Sequence, residues 1–402
     1  MSFSASKTAI DRPPASNELE MTIFGPGVGE CILLHLGGGD WIVVDSCILP
    51  GASQPIALDY LIRLGLDPAT CVRRIIATHW HDDHIGGLAT LLRECQQAEF
   101  MMSAALQGQQ FFQLVLEVNT QNRLVQHTSS ASEFAEVFEV LESRATNRYV
   151  VGPSMYAQDG SRLFRGGHRG TADVWALSPS AATITNAHSQ LAELLLTVGA
   201  SRRFKRFSPN DLSVAILVQA GERSLLLGAD LENTRADGFG WKAVLSSPHR
   251  PVTTSGTFKV PHHGSANADH VEVWNSMLVP EPIAVVTPYT KLSKPLPTSI
   301  DVERLKGRTS QVFCTTWPPS KKPPRRRGVD GIVRGATKSR RAINPSSGHF
   351  RLRVDLSDPS AAPTIELFGS AKQLREVLFY GSRGHEPQTF ICRTERNASP
   401  PR

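Results

Sequence analysis

With 402 residues, 40% hydrophobic and 20% charged, the chain has the composition of a globular protein with room for one large or two small domains. No apolar run approaches the roughly 18 residues that span a bilayer, and the opening M-S-F-S-A-S-K-T-A-I-D-R-P-P-A-S-N lacks the apolar core of a signal peptide, so a cytoplasmic protein with no membrane partner is expected. The net charge of +6 is local, because nine of the 43 basic residues and one of the 37 acidic ones lie between Lys321 and Arg341, leaving the remainder slightly acidic. Six cysteines (Cys31, Cys47, Cys71, Cys95, Cys314 and Cys392) are scattered without C-x-x-C spacing. They read as reduced thiols, several in or beside strands, and as neither a disulfide nor a zinc framework.

Residues 1–18 are rich in Ser, Pro and Ala and are expected to form an unordered tail. Leu19 to Phe24, Cys31 to Leu36 and Trp41 to Val44 read as three hairpin-connected strands, with turns at G-P-G-V-G-E and Gly37-Gly38-Gly39-Asp40. Ile56 to Leu64 has helical spacing and stops at Gly65. The stretch Ile75 to Gly87, I-I-A-T-H-W-H-D-D-H-I-G-G, is a short apolar strand running into a loop that opens a helix from Leu88 to about Gln97. Further helices are expected near Gln109 to Val118, Ala131 to Arg144, His188 to Val198 and Thr298 to Leu305. Further strands are expected at Phe100, Val174 to Leu177, Leu212 to Gln219, Ser224 to Leu227, Phe258 to Val260, Ile283 to Val286, Gln311 to Cys314, Phe350 to Val354 and Thr364 to Phe368.

The loop after Ala77 carries chemistry. His79, His81 and His84, with Asp82 and Asp83 between them, put five ionisable side chains into six residues, a cost that a bound metal would offset. On an extended loop His79 and His81 point the same way and can pinch one ion, while Asp83 and His84 can hold a second. Imidazole and carboxylate together suit Zn²⁺ first, with Mn²⁺ or Fe²⁺ compatible by ligand type.

The pattern T-H-x-H-x-D-H, here Thr78, His79, His81, Asp83 and His84, resembles the signature of metallo-β-lactamase-fold hydrolases. Four further segments resemble the soluble hydrolase domain of ComEC-type DNA-uptake proteins: Gly27 to Leu33, Asn210-Asp211-Leu212-Ser213, Leu227 to Glu232 and Val260 to Ser265. The resemblance covers about residues 19–370. It implies an α/β fold, a four-layer αββα sandwich with a metal site at the sheet edge, often with two ions.

It also implies roles. Asp230, ending a strand, would bridge the two divalent ions, with Asp83 on the second. The last ligand is read as His263, leaving its neighbour His262 to touch substrate or act as general acid. Asp45 would orient a metal-bound histidine, with Ser265 and Asn210 in support. Asn210 stands where most of the superfamily has a third histidine for the first metal, so the first site would be His79, His81 and Asp230, weaker and open to Mn²⁺. His127, His168 and His188 match no motif position and read as surface residues. Lys294, where the ComEC-type branch tends to carry a His-Pro, could hold a phosphate oxygen or be a solvated loop lysine.

Two basic runs bear on the partner. Arg202, Arg203, Lys205 and Arg206 are interleaved with Phe204 and Phe207, a composition able to grip a backbone and stack a base. Lys321, Lys322, Arg325, Arg326 and Arg327 open a Pro/Gly-bearing basic insertion, 321–341, within the hydrolase domain. The expected function is a metal-dependent phosphodiesterase, a nuclease on DNA ahead of RNA, with a hydroxide shared by two ions as nucleophile. The alternatives are hydrolysis of a small phosphodiester or cyclic nucleotide, and a non-catalytic, metal-stabilised nucleic-acid-binding module. Because stand-alone relatives of this branch include defence effectors, residues 371–402 or the basic insertion could meet a regulatory protein partner.

Overall fold

A computed structural model of the chain describes residues 12–108, 111–116, 130–146, 155–197, 208–292, 294–316 and 347–374. Both basic runs, Arg202 to Arg206 and Lys321 to Arg341, lie outside these residues, as do His127 and Cys392. The strands are β1 (Glu18–Phe24), β2 (Cys31–His35), β3 (Trp41–Val44), β4 (Val72–Ala77), β5 (Glu99–Ser103), β6 (Met155–Ala157), β7 (Arg162–Gly166) and β8 (Ala172–Ala176). They continue as β9 (Ile216–Ala220), β10 (Arg223–Leu227), β11 (Ser255–Lys259), β12 (Leu278–Val286), β13 (Val312–Cys314), β14 (His349–Asp355), β15 (Thr364–Phe368) and β16 (Lys372–Gln373).

These strands make two eight-stranded sheets, ordered β15-β14-β1-β2-β3-β4-β5-β6 and β16-β13-β12-β11-β10-β9-β8-β7. In each, antiparallel strands give way to parallel ones: at β3/β4 in the first sheet and at β10/β11 in the second. Side-chain alternation along the strands sorts the core into layers. Ile32, Leu34, Ile42 and Val44 pack between the sheets against Ile216, Leu227 and Val285. Their neighbours Cys31, Leu33, Trp41 and Val43 face helices Ile56–Arg63 and Leu88–Glu94 on the outside. Phe258, Ala284 and Val286 of the second sheet face outward with Trp241 and Trp274 from helices Gly240–Ser246 and Val271–Ser276. The result is the expected α/β architecture of four layers, with helices on both outer faces. Among the described residues no helix is long and apolar enough to cross a membrane.

The chain is tied down earlier than its composition suggested. Arg12 pairs with Glu18 at 3.0 Å and its carbonyl accepts from Arg353, so the segment before β1 lies along β14. At the other end β16 extends pairing past residue 370. The strand expected over Leu212 to Gln219 starts only at Ile216, because Pro209–Leu212 forms a 3₁₀ turn that precedes it. Strands β6 and β7, three and five residues long, carry too little alternation to stand out in the sequence. Cys31, Cys47, Cys95 and Cys314 are buried free thiols, and Cys71 is a half-buried one.

Candidate metal centre

Both sheet transitions end at the same edge, and the conspicuous polar residues gather there. In the first sheet β3 ends at Asp45, and β4 runs through Thr78 to His79. A short helix, Asp82–Ile85, then turns Asp83 and His84 inward. In the second sheet β10 ends at Gly228-Ala229-Asp230, and β11 runs through Pro261 to His262 and His263. Close backbone approach needs small residues here. A Cβ on Gly29 would stand 2.7 Å from Cys47 Cβ and 3.1 Å from Asp83 O, and one on Gly228 would stand 2.8 Å from Pro261 Cβ. Asp45, Ala229, His262 and His263 all have positive φ (60°, 46°, 46° and 54°), each costing about 1–3 kcal/mol that the surrounding contacts must offset.

Two groups of donors result, and they share Asp230. The first is His79, His81 and Asp230; the second is Asp83, His84, Asp230 and His263. His79 Nε2 lies 3.2 Å from His81 Nδ1 and 3.9 Å from Asp230 Oδ2. His84 Nε2 lies 3.5 Å from Asp230 Oδ1 and 3.7 Å from Asp83 Oδ2. His263 Nε2 lies 3.1 Å from Asp83 Oδ2 and 3.6 Å from Asp230 Oδ2. Four donors with bonds of 2.0–2.1 Å around one ion stand about 3.3 Å apart, so these separations fit a divalent cation. Among the described residues the fully buried His84 Nε2 and Asp230 Oδ1 have no hydrogen-bond partner, which is where donors that await an ion should be found.

The far side of each ring is already committed. Asp45 accepts from the Thr78 amide and hydroxyl, both at 2.8 Å, and from His84 Nδ1 at 2.7 Å. Thr78 Oγ1 in turn accepts from His79 Nδ1 at 3.0 Å, and Thr287 O accepts from His263 Nδ1 at 2.8 Å. With Nδ1 carrying the proton, His79, His84 and His263 each present Nε2 to the centre, the tautomer a metal requires.

Electrostatics point the same way. Burial alone would raise Asp83 and Asp230, but His84 and His263 around them hold both carboxyls below their ordinary range. Burial lowers His79 and His81. Burial opposes charge on His84 and His263 too, yet Asp230, with Asp45 and Asp83 at His84 and with Asp83 at His263, raises both. The cavity is therefore a nest of ionised carboxylates that demands positive charge, from protons or from metal ions.

Of the two adjacent histidines, His263 joins the donors and His262 does not. His262 Nδ1 faces Asn267 Oδ1 at 3.0 Å and Glu232 Oε1 at 3.3 Å, and its Nε2 is 3.3 Å from the Asn210 amide nitrogen. That amide also donates to Glu232 at 2.6 Å, while Asn210 Oδ1 is a buried acceptor without a partner among the described residues. Asn210 thus braces His262 and Glu232 instead of simply replacing a histidine at the first ion. With the amide so oriented, His262 Nε2 is an acceptor, so a general-acid role requires the ring to take up a proton first. Ser265 closes the turn by donating its N–H to His262 O at 2.9 Å. Lys294 is exposed, His168 and His188 are half-buried where surface positions were expected, and none of the three belongs to either donor group.

Sequence reasoning assigned no role to Glu232, which stood in view in the G-A-D-L-E segment, or to Tyr289, whose ring stacks on His263 at 5.1 Å and 19°. A lone tyrosine in a loop leaves no periodic or spacing signal.

Residues 24–107 match the family model described as the metallo-beta-lactamase superfamily. No curated protein matches the chain. Among solved structures it is similar to the metallo-beta-lactamase fold protein YhfI from Bacillus subtilis, at 12% identity and TM-score 0.36 over 73% of this chain and 95% of that one. It is also similar to a mutant of CmlA beta-hydroxylase, at 14% identity and TM-score 0.31 over 64% of this chain and 38% of that one. At these values neither likeness bears on the activity. The family match and the two donor groups suggest a metal-dependent hydrolase. With His79, His81, Asp83 and His84 all inside the matched segment and two stacked sheets behind them, the chain carries a domain of the metallo-β-lactamase superfamily.

Proposed function

We propose that this protein is a metal-dependent phosphodiesterase, and that its substrate is DNA. The observation that carries the reading is the sharing of Asp230 by two donor groups, an arrangement suited to a pair of ions on either side of one reacting phosphate. When bound, such a pair supplies Lewis acidity and ionises water near neutral pH. Zn²⁺ is the first candidate for both positions and Mn²⁺ the second, the less so for the four-donor group.

The chain's own residues do the remainder. Asp45 and Thr287 fix ring orientations, so that donors need not reorganise when substrate arrives. His262, partly exposed and braced by Asn210, Asn267 and Glu232, is the residue assigned to contact the substrate. The two basic runs, Arg202 to Arg206 and Lys321 to Arg327, favour a polyanion over a small diester, as does the resemblance of four segments to ComEC-type hydrolase domains.

The test is hydrolysis of single-stranded, duplex and plasmid DNA, RNA and a small chromogenic diester by protein loaded with Zn²⁺ or Mn²⁺. DNA cleavage that weakens as salt rises is expected. Turnover of the small diester with untouched DNA would move the substrate to the small-molecule class, and no turnover of any of them by metal-loaded protein would contradict the reading.

A further inference from the structure

Strand β11 places a lysine where the sheet calls for an aliphatic side chain. Lys259 pairs in register with Leu227 on one side and Val285 on the other, and both belong to the core between the sheets. Its neighbour Phe258 faces the outer helices, so alternation sends Lys259 inward. Glu30 precedes Ile32 and Leu34 on the inward face of the first sheet by the same parity. Both side chains are almost wholly inaccessible, at 0% and 1%, and Lys259 Nζ meets Glu30 Oε2 at 2.6 Å.

Two charges buried this deeply are a poor way to gain stability, since an apolar pair of similar volume does as well or better. What distinguishes the pair is the set of groups it touches. The Glu30 N–H donates to Asp83 O at 2.8 Å. Lys259 Nζ donates to Ala229 O at 3.2 Å, one residue before Asp230. The Thr287 hydroxyl donates to Glu30 Oε2, while the carbonyl of the same residue holds His263 Nδ1. Asp83, Asp230 and His263, three of the four donors of the second group, are therefore referenced to this one ion pair, against only the shared Asp230 among the three donors of the first. Glu30, Asp45 and His84 also lie close enough together to suggest a third ion site, but the Lys259 ammonium already supplies the cation beside Glu30.

We propose that Glu30 and Lys259 form a positioning clamp that sets the spacing between the sheets and so assembles the Asp83, His84, Asp230 and His263 group. The clamp rests on the metal centre proposed above and concerns how that centre is built. Its test is Co²⁺ titration followed by visible absorption, which needs no turnover. In a His81→Ala background, which keeps the second group, the pair Glu30→Gln with Lys259→Met should weaken Co²⁺ binding by about tenfold or more, as loss of an outer support to a metal ligand does. In an Asp83→Ala background, which keeps the first group, the same pair should weaken binding clearly less, because only the shared Asp230 of that group is referenced to the clamp. Equal weakening in both backgrounds would reveal general loosening and overturn the clamp, as would unchanged binding in both. Should the double variant not fold, Glu30→Asp, which keeps both charges and shortens their reach, is read in the same way. A wild type that binds two ions and cleaves no phosphodiester would overturn the substrate class alone, because the clamp is judged on ion binding.

Discussion

The two sheets follow one plan and contribute unequally to the centre. Each places a carboxylate after its last antiparallel strand, Asp45 after β3 and Asp230 after β10, and a histidine after the adjoining parallel strand, His79 after β4 and His263 after β11. In the first sheet the carboxylate turns back to orient rings, and one loop delivers His79, His81, Asp83 and His84 together. In the second the carboxylate reaches forward into both donor groups, and a single histidine completes one of them. The first half is thus rich in imidazole, and the second supplies the carboxylate that the two donor groups share.

Substitutions can break that division of labour, and the largest effect belongs to the shared residue. Asp230→Ala removes a donor from both groups and should lower metal-dependent hydrolysis by at least about a thousandfold with the fold retained, checked by activity alongside circular dichroism. Next come His81→Ala and His263→Ala, each confined to one group. Each should abolish one ion site while the other still titrates, and loss of both sites in either variant would mean that the halves are not separable. Asp45→Asn is smaller: it keeps the size of the side chain but weakens its hold on His84 and Thr78, and should cost about 10–100-fold in metal affinity, read by competition with a chelator.

The smallest effect is expected at a histidine that belongs to neither donor group. His349 stacks on Phe368 at 4.2 Å, and its Nε2 is buried without a hydrogen-bond partner among the described residues. Burial, then Arg351 and Arg63, push its pKa down to about 3. The unfolded chain, with an ordinary histidine, binds this proton more readily than the folded one. The stability that His349 contributes is therefore complete above pH 6.5 and drains away as pH falls toward 3. Replacing it by Phe should flatten that part of a melting-temperature profile, and an unaltered profile would contradict the assignment.

How legible these parts were depends on whether their residues are neighbours along the chain. The loop from His79 to His84 announces itself, because five ionisable side chains beside a buried strand have no cheap apolar explanation. Strand β1 stands out by alternation, β2 and β3 by short apolar runs, and all three by the Gly-rich turns between them. Asp230 and His263 were found through their motifs, since a single polar residue at a strand end says little by itself. The pairing of Glu30 with Lys259 was invisible. It joins opposite sheets, and a lysine at the end of S-G-T-F-K reads as the usual solvated strand end. The short helices Gly240–Ser246 and Val271–Ser276 were missed for a similar reason, with barely two turns each to display a period. Glu232 and Tyr289 owe their places to tertiary contacts alone.

The most direct measurement is metal content per chain, by mass spectrometry of the protein after loading and desalting, for wild type and for Asp230→Ala. Two divalent ions in the wild type and no more than one in the variant are predicted, because both donor groups draw on the same carboxylate. A wild type that retains no ion or one, or a variant that still retains two, would contradict the shared centre.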